Sequence, residues 1–385
     1  MPPSGRFHRS VVAGEAIQAF VPEPLPPAGI ELSSHYAQLD KANQALGRLE
    51  GLSLLLPNAS LFLYLYVQKE ALLSSQIEGT QSSLADLIMF ENAQPSGAPI
   101  DDVEEVSNYV AAVNHGLRRI EEGFPLSLRL LREIHAILLR GGRGANAQPG
   151  EFRRSQNWIG GTRPGNAIYV PPPTQELAST LDAFERFLHD DTHSLPRLVK
   201  IALAHVQFET IHPFLDGNGR LGRLLITLML CSDGALSRPL LYLSLFFKTH
   251  RATYYDLLQA VRLNGAWNEW IGFFLEGVHE VANQAADAAR RILGLFAEDR
   301  ARLQSLGRRA SAAMRVHDHF QRRPISHIRA AVDETGLSFV TVAGAIDEMV
   351  RLEILREITG KARARVFVYS AYMATLSEGA DPLPI

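Results

Sequence analysis

The run His212-Pro213-Phe214-Leu215-Asp216-Gly217-Asn218-Gly219-Arg220-Leu221-Gly222-Arg223 brings an imidazole, a carboxylate, a Gly-Asn-Gly turn and two guanidinium groups into one short stretch. An unperturbed imidazole titrates at about 6.5, so a neutral His212 can accept a hydroxyl proton near neutral pH. Asp216 offers the oxygen ligand that Mg²⁺ prefers, and that ion commonly takes one or two protein carboxylates and fills its shell with phosphate and water. Gly217 and Gly219 have no Cβ, which lets backbone N–H groups approach phosphate oxygens, and Asn218 tolerates left-handed geometry between them. Each part alone is commonplace: most histidines are structural, and a Gly-Asn-Gly run is usually just a turn. In this order, they can hold a triphosphate, its metal and an attacking hydroxyl together.

These groups must be positioned by elements on either side. Leu221, Leu224, Leu225, Leu228 and Met229 recur with helical spacing, which predicts a helix from Arg220 to Leu230. Its N-terminus would aim free N–H groups at an anion. Arg220 and Arg223, three apart, share roughly one face, and guanidinium binds phosphate in fork geometry. A second helix is expected from Pro196 to Thr210, immediately before the run.

The run resembles the signature of the Fic (filamentation induced by cAMP) family, H-P-F-x-[DE]-G-N-G-R-x-x-R, at every defined position. The resemblance implies a mainly α-helical protein adenylyltransferase that moves AMP from ATP to a Ser, Thr or Tyr hydroxyl of a target protein. It implies that His212 deprotonates that hydroxyl and that Asp216 binds Mg²⁺ between the α- and β-phosphates. Gly217, Asn218 and Gly219 would form the anion hole, with Arg220 on the β-phosphate and Arg223 on the γ-phosphate. Tyr254 and Tyr255 would help to enclose the adenine; a buried aromatic pair is the plain reading of the same residues.

Ser74-Ser75-Gln76-Ile77-Glu78-Gly79 fits the family's inhibitory pattern, [ST]-x-x-x-E-[GN], through Ser74 and Glu78. The preceding Gln68 to Leu73 is helix-prone, and Gly79 is a natural helix stop. The pattern implies that Glu78 competes with the γ-phosphate for Arg223. Between the motifs, Asn157 to Ile159 and Ile168 to Val170 flank a Pro-Gly-Asn turn and read as a β-hairpin. The family has a hairpin flap here that clamps its target by strand addition.

The chain has 385 residues, 46% hydrophobic and 21% charged, with a formal net charge of −3, an ordinary globular composition without a global pull toward nucleic acid or membrane. Its one cysteine, Cys231, excludes an internal disulfide framework and reads as a buried thiol in a cytoplasmic protein. No Cys/His cluster has zinc spacing, and Met1 to Ser10 lacks an apolar signal core. Leu52 to Val67 is the most apolar stretch, but Pro57 and Asn58 split it, and a buried helix is expected there, not a membrane span.

Three units are expected: residues 1–95, an irregular Pro-rich arm up to about residue 40 followed by a helical region with the inhibitory helix; residues 96–295, the Fic-type core; and residues 296–385. In the last, Ser326 to Thr335 and Ser338 to Leu352 read as helices, with Ser338 an N-cap, and Arg356 to Ile358 and Arg365 to Tyr369 as a two-stranded wing. This resembles the winged helix-turn-helix that many Fic proteins carry. Asp347, Glu348 and Glu353 oppose DNA contact by the second helix, whereas Arg322, Arg323, Lys361, Arg363 and Arg365 offer cations for phosphates. The alternatives are UMP transfer or AMP removal on the same fold, and a DNA-binding regulator that uses the core as a nucleotide sensor. Self-modification and a homodimer are further partner expectations.

Overall fold

Strand alternation opens the chain. In the computed structural model, which describes residues 3–12, 14–55, 59–91, 99–141, 144–190, 192, 195–361 and 364–382, β1 (Gly5–Val12) and β2 (Glu15–Pro22) form an antiparallel hairpin in register Gly5 with Pro22 and Val12 with Glu15. This corrects the expected irregular arm, because the prolines follow β2 instead of interrupting it. Ile17, Ala19 and Val21 are buried on β2, and Phe20 donates its N–H to Val170 O at 2.9 Å, so the hairpin is bonded to the flap segment.

Helices follow: α1 (Tyr36–Leu55), α2 (Ala59–Ile77), α3 (Leu84–Glu91), α4 (Ile100–Glu121) and α5 (Leu128–Leu138). Pro57 and Asn58 lie outside the described residues. Next come α6 (Thr174–His189), α7 (Arg197–Ile211), α8 (Asn218–Ser232), α9 (Ser244–Thr249), α10 (Arg251–Asn264) and the long α11 (Trp267–Gln304). α7 and α8 are buried nearly all round, including polar residues such as His205, Glu209, Arg220 and Arg223. They pack on each other at the centre, with α4 and α5 against α8, α2 against α4, and α11 across α7 and α1. Gly116 lets α4 come close: a Cβ there would sit 2.9 Å from both Ile134 Cδ1 and Leu228 Cδ2, so a larger residue would force those side-chain ends to shift.

α11 runs unbroken past residue 296, where the sequence reading divides core from C-terminal unit; the chain turns only at Gly307, with φ 61°. Beyond it lie α12 (Ala310–Arg322), β3 (Ile325–His327), α13 (Ile328–Thr335), α14 (Phe339–Arg351), β4 (Leu355–Glu357), β5 (Val366–Tyr369) and α15 (Ser370–Ser377). The sheet is three-stranded and antiparallel, ordered β3-β5-β4. The two expected wing strands pair as β4 and β5, and a third strand, in residues expected to start a helix, joins them, because Ser326 and His327 pair with β5 before α13 begins. Ser338 does cap α14, accepting the Thr341 N–H. Arg322 and Arg323 both face Glu334, and Arg365 faces Asp347. Arg363 lies outside the described residues. Among the described residues, no helix is long and apolar enough to cross a membrane.

Candidate active site

α7 ends in a left-handed residue. His212 is its C-cap at φ 47°, ψ 62°, a conformation that a side chain larger than glycine holds only when its surroundings impose it. Two donors impose it here: Arg153 Nε at 3.0 Å and Asn157 Nδ2 at 3.4 Å both reach the His212 carbonyl. Asn157 Nδ2 also donates to Phe214 O at 2.9 Å, and the Arg153 N–H donates to Pro213 O at 2.9 Å. Burial, then the positive charges of Arg262 and Arg153, push the His212 pKa down to about 3. The ring is therefore neutral at physiological pH, the form that accepts a proton. Its Nδ1 is buried with no hydrogen-bond partner among the described residues.

The loop after His212 is tied at both ends. Asn218 Oδ1 accepts the Phe214 N–H and its Nδ2 donates to Phe214 O, each at 2.9 Å. The Asn218 side chain is therefore spent on the loop, and any anion hole here is made by backbone N–H groups. α8 starts at Asn218, two residues earlier than its apolar spacing indicates, with Gly217 as a left-handed N-cap at φ 75°. His135 on α5 braces the loop from beneath. Its Nδ1 accepts the Gly150 N–H at 2.8 Å, so its Nε2 carries the proton and donates to Asp216 O at 3.0 Å, while its ring stacks on Phe214.

The Asp216 side chain is 43% exposed and accepts the Gly217 N–H on Oδ1 at 2.6 Å. Among the described residues there is no group of three His, Cys, Asp or Glu side chains placed to hold a metal ion. A single open carboxylate fits an ion that takes most of its shell from phosphate and water.

Arg220 is buried against Glu105 of α4, at 2.9 Å between Nη1 and Oε1. That approach is not aligned as a hydrogen bond, and Arg220 Nε and Nη1 have no acceptor among the described residues. The carboxylate partner comes from a helix far away in sequence and is invisible to motif reading.

Arg223 is held along one edge. Its Nε donates to Ser74 Oγ at 2.9 Å, and its Nη2 donates to Ser74 O at 3.0 Å and to Glu78 Oε1 at 2.6 Å. Enclosure by the protein works against the Glu78 charge, but Arg223, with Arg220 and His212 behind it, holds the carboxyl below the usual range. Glu78 lies just past the end of α2, in a turn closed by Gly79 at φ 105°. Its Oε1 stands over Gly219 in the first turn of α8, where a Cβ would overlap it. A carboxylate thus occupies the anion-attracting end of the helix.

Tyr254 and Tyr255 differ in environment. Tyr254 is 1% exposed, stacked on Phe247, and its hydroxyl meets His205 Nε2 at 2.8 Å. His205 Nδ1 faces Gly222 O at 2.9 Å and must donate to it, so Nε2 accepts from Tyr254. Tyr255 is 39% exposed, with Arg251 over its ring. Both border one cavity of about 360 Å³ that also contains Glu78, His212, Asp216 and Arg223. A larger open depression, about 750 Å³ and bordered by Asn43, Lys200 and Asp233, holds none of the motif residues.

Sequence reading gives no role to Arg153, Asn157, His135, Glu209 or Arg262. Glu209 borders the cavity with a buried Oε1 that has no hydrogen-bond partner among the described residues, and burial pushes its pKa up to about 7. Arg262 stacks on Tyr169 and donates to Glu209 O and Thr210 Oγ1. The available signal is the set of polar residues (His205, Gln207, Glu209, Thr210) in an otherwise apolar helix. The flap is slighter than expected, with one bridge between Ile159 and Tyr169 and a 3₁₀ turn at Pro164–Asn166.

Residues 36–118 match the model described as the Fic/DOC family N-terminal, and residues 125–230 match the Fic/DOC family model. Both matched regions are thus similar to Fic/DOC family domains. It is 32% identical over 233 residues to the protein adenylyltransferases Fic of Culex quinquefasciatus and of Aedes aegypti, each alignment covering 58% of this chain and 42% of the relative. The chain thus spans less than half the length of these curated relatives. In fold it is similar to a Fic family protein from Desulfovibrio desulfuricans G20, with a TM-score of 0.58, 18% identity, and coverage of 90% of this chain and 98% of that one. The Fic match ends within α8, so the motif from His212 to Arg223 lies wholly inside it.

Proposed function

We propose that this Fic-domain chain is an autoinhibited protein adenylyltransferase. The observation that carries the reading is the position of the Glu78 carboxylate, bonded to Arg223 and set over Gly219 at the N-terminus of α8, beside a neutral His212. An anion site that the chain fills with its own carboxylate, next to a base, is what a restrained phosphate-handling catalyst needs. The curated relatives named protein adenylyltransferase Fic support the choice of AMP and of a protein hydroxyl as acceptor.

In the proposed reaction the target hydroxyl oxygen attacks the α-phosphorus of ATP. The bond from that phosphorus to the β-bridging oxygen breaks, pyrophosphate leaves, and the hydroxyl proton passes to the His212 imidazole. Asp216 would hold Mg²⁺, which neutralises phosphate charge when bound. The first-turn N–H groups of α8 and the Arg220 guanidinium receive phosphate oxygens, and Arg223 receives the γ-phosphate once Glu78 withdraws. No covalent enzyme intermediate is required; positioning and charge stabilisation account for the acceleration.

The C-terminal unit reads as a winged helix whose cations are largely engaged by Glu334 and Asp347, which favours protein docking over DNA contact. Incubating purified Glu78→Gly protein with labelled ATP, CTP, GTP and UTP tests the reading. Incorporation of label from ATP, lost in Glu78→Gly/His212→Ala, is the expected result. Preference for UTP would favour uridylylation, and no incorporation from any nucleotide would remove the proposal.

A further inference from the structure

The C-terminal unit is folded onto the helix that carries the inhibitory carboxylate. α15 packs against α2 and α11, with Tyr372 fully buried and Met373 and Leu376 nearly so. Leu376 and Thr375 close over Tyr66 and Lys69 of α2. The chain then runs past α9. Glu378 takes both terminal nitrogens of Arg291, at 2.7 and 2.6 Å, and Lys248 Nζ donates to Gly379 O and Asp381 O. Gly379, at φ 75°, lies so close to α9 that a Cβ would stand 2.8 Å from Leu245 Cδ1.

The decisive contact is at the end of α2. The buried Gln76 amide donates to Ala380 O at 2.9 Å and to Ser82 O at 2.9 Å. One side chain thus ties the C-terminal segment to both sides of the turn that presents Glu78. The backbone of that turn is closed on the same residues: Glu78 N–H and Thr80 N–H donate to Ser75 O, and Gly79 N–H donates to Gln76 O. With both amide protons engaged, Gln76 loses a buried partner if residues 378–381 lift away, and an unsatisfied buried donor destabilises the conformation that contains it. α2 would at the same time lose the cover of Tyr372 and Leu376 over its apolar face.

Resting on the autoinhibition reading above, we infer that residues 370–381 are the second half of the inhibitory device, a brace that holds Glu78 on Arg223 through Gln76. The C-terminal unit is then the handle of the switch. Whatever draws it off α2 frees the turn, releases Arg223 and opens the phosphate site. Coupling of this kind needs an element that both ends bias, and the turn from Ser75 to Ser82 is that element.

The test uses the full-length chain and two variants that leave the motif from His212 to Arg223 intact. Gly379→Val wedges a side chain between residues 378–381 and Leu245, and Gln76→Met keeps the bulk of Gln76 without its donors. Hydrogen exchange at the Glu78, Gly79 and Thr80 amides reads the turn directly, and labelled-AMP incorporation reads the consequence. Both variants are expected to exchange at these amides at least about tenfold faster than wild type, while α7 and α8 keep their protection, and to transfer AMP faster by a similar factor. Neither is expected to accelerate transfer further in a Glu78→Gly background. Unchanged exchange in a folded variant overturns the brace, as does an equal acceleration with Glu78 already removed. A Glu78→Gly parent that transfers no AMP refutes the catalytic reading instead, and the exchange measurement still decides whether the brace exists.

Discussion

Arg223 donates Nη2 to Glu78 Oε1 at 2.6 Å across 145 residues of sequence, while its Nε holds Ser74 Oγ. The guanidinium is buried and the carboxylate is exposed at the mouth of the cavity, so the base of the clamp is fixed and its tip faces the space an incoming anion would enter. The end of α2 and the start of α8 therefore share one cation, and under the proposed autoinhibition whichever anion holds it excludes the other.

Removing the competing carboxylate is the first test. A hydrogen bond to a charged group contributes about 1.5–3 kcal/mol, so Glu78→Gly is expected to raise AMP transfer about tenfold or more. Ser74→Ala, which removes one Arg223 contact but keeps the carboxylate, is expected to give a smaller rise. Initial rates with labelled ATP measure both, and a folded Glu78→Gly protein no faster than wild type contradicts competition.

His212 depends on its carbonyl partners. In the Glu78→Gly background, Asn157→Ala and Arg153→Met are expected to lower kcat about tenfold while leaving KM for ATP nearly unchanged, because the base moves and the phosphate donors do not. The Arg153 charge also helps to hold the imidazole pKa down. Its loss should move the acidic limb of the pH–rate profile upward, whereas Asn157→Ala should leave that limb in place. Equal effects on kcat and KM, with no shift of the limb, would instead mark a general structural role.

Behind the cavity, Tyr254→Phe removes the donor to His205 Nε2 and leaves a buried acceptor empty. The expected loss is about 1–3 kcal/mol in urea unfolding, with the slope of the transition unchanged. A loss near zero would mean that water replaces the hydroxyl.

Acid stability follows from buried imidazoles. Burial pushes the pKa values of His135, His205, His212 and His317 down to about 4, 3, 3 and 4, below the ordinary 6.5. The unfolded chain therefore takes up protons that the folded one refuses, and this contribution is full above 6.5 and lost as pH falls below it. Glu70 and Glu209, raised by burial to about 7 from 4.5, act in the opposite sense: the stability they contribute is present below 4.5 and lost as pH rises through 7. Four groups against two leave a net fall in melting temperature as pH drops from about 6.5 to about 5. A melting temperature that rises on acidification would show that the carboxyls dominate.

Much of the site was legible where chemistry and spacing coincide in one segment. The Arg223–Glu78 contact follows from two motifs read separately, and Gly79 ends the inhibitory turn as its conformational freedom requires. Other readings failed for physical reasons. α8 begins at Asn218 because that side chain locks the preceding loop, a tertiary bond that apolar periodicity does not register. The β1–β2 hairpin was hidden by the prolines after it, and β3 by its shortness. Tyr254 is fixed in the core by His205, which the sequence marks only as a polar residue in an otherwise apolar helix.

By itself the sequence determined the candidate reacting groups, their order along the loop and the helical framework, because these rest on side-chain chemistry and periodicity over a few turns. Only the tertiary structure decided which groups meet. Glu105 lies on Arg220, Arg153 and Asn157 hold His212 in a left-handed turn, and the C-terminal segment closes on Gln76. Each of these contacts joins segments far apart in the chain, and burial gives it its strength: a polar group taken from water is held firmly by whatever partner the packing supplies.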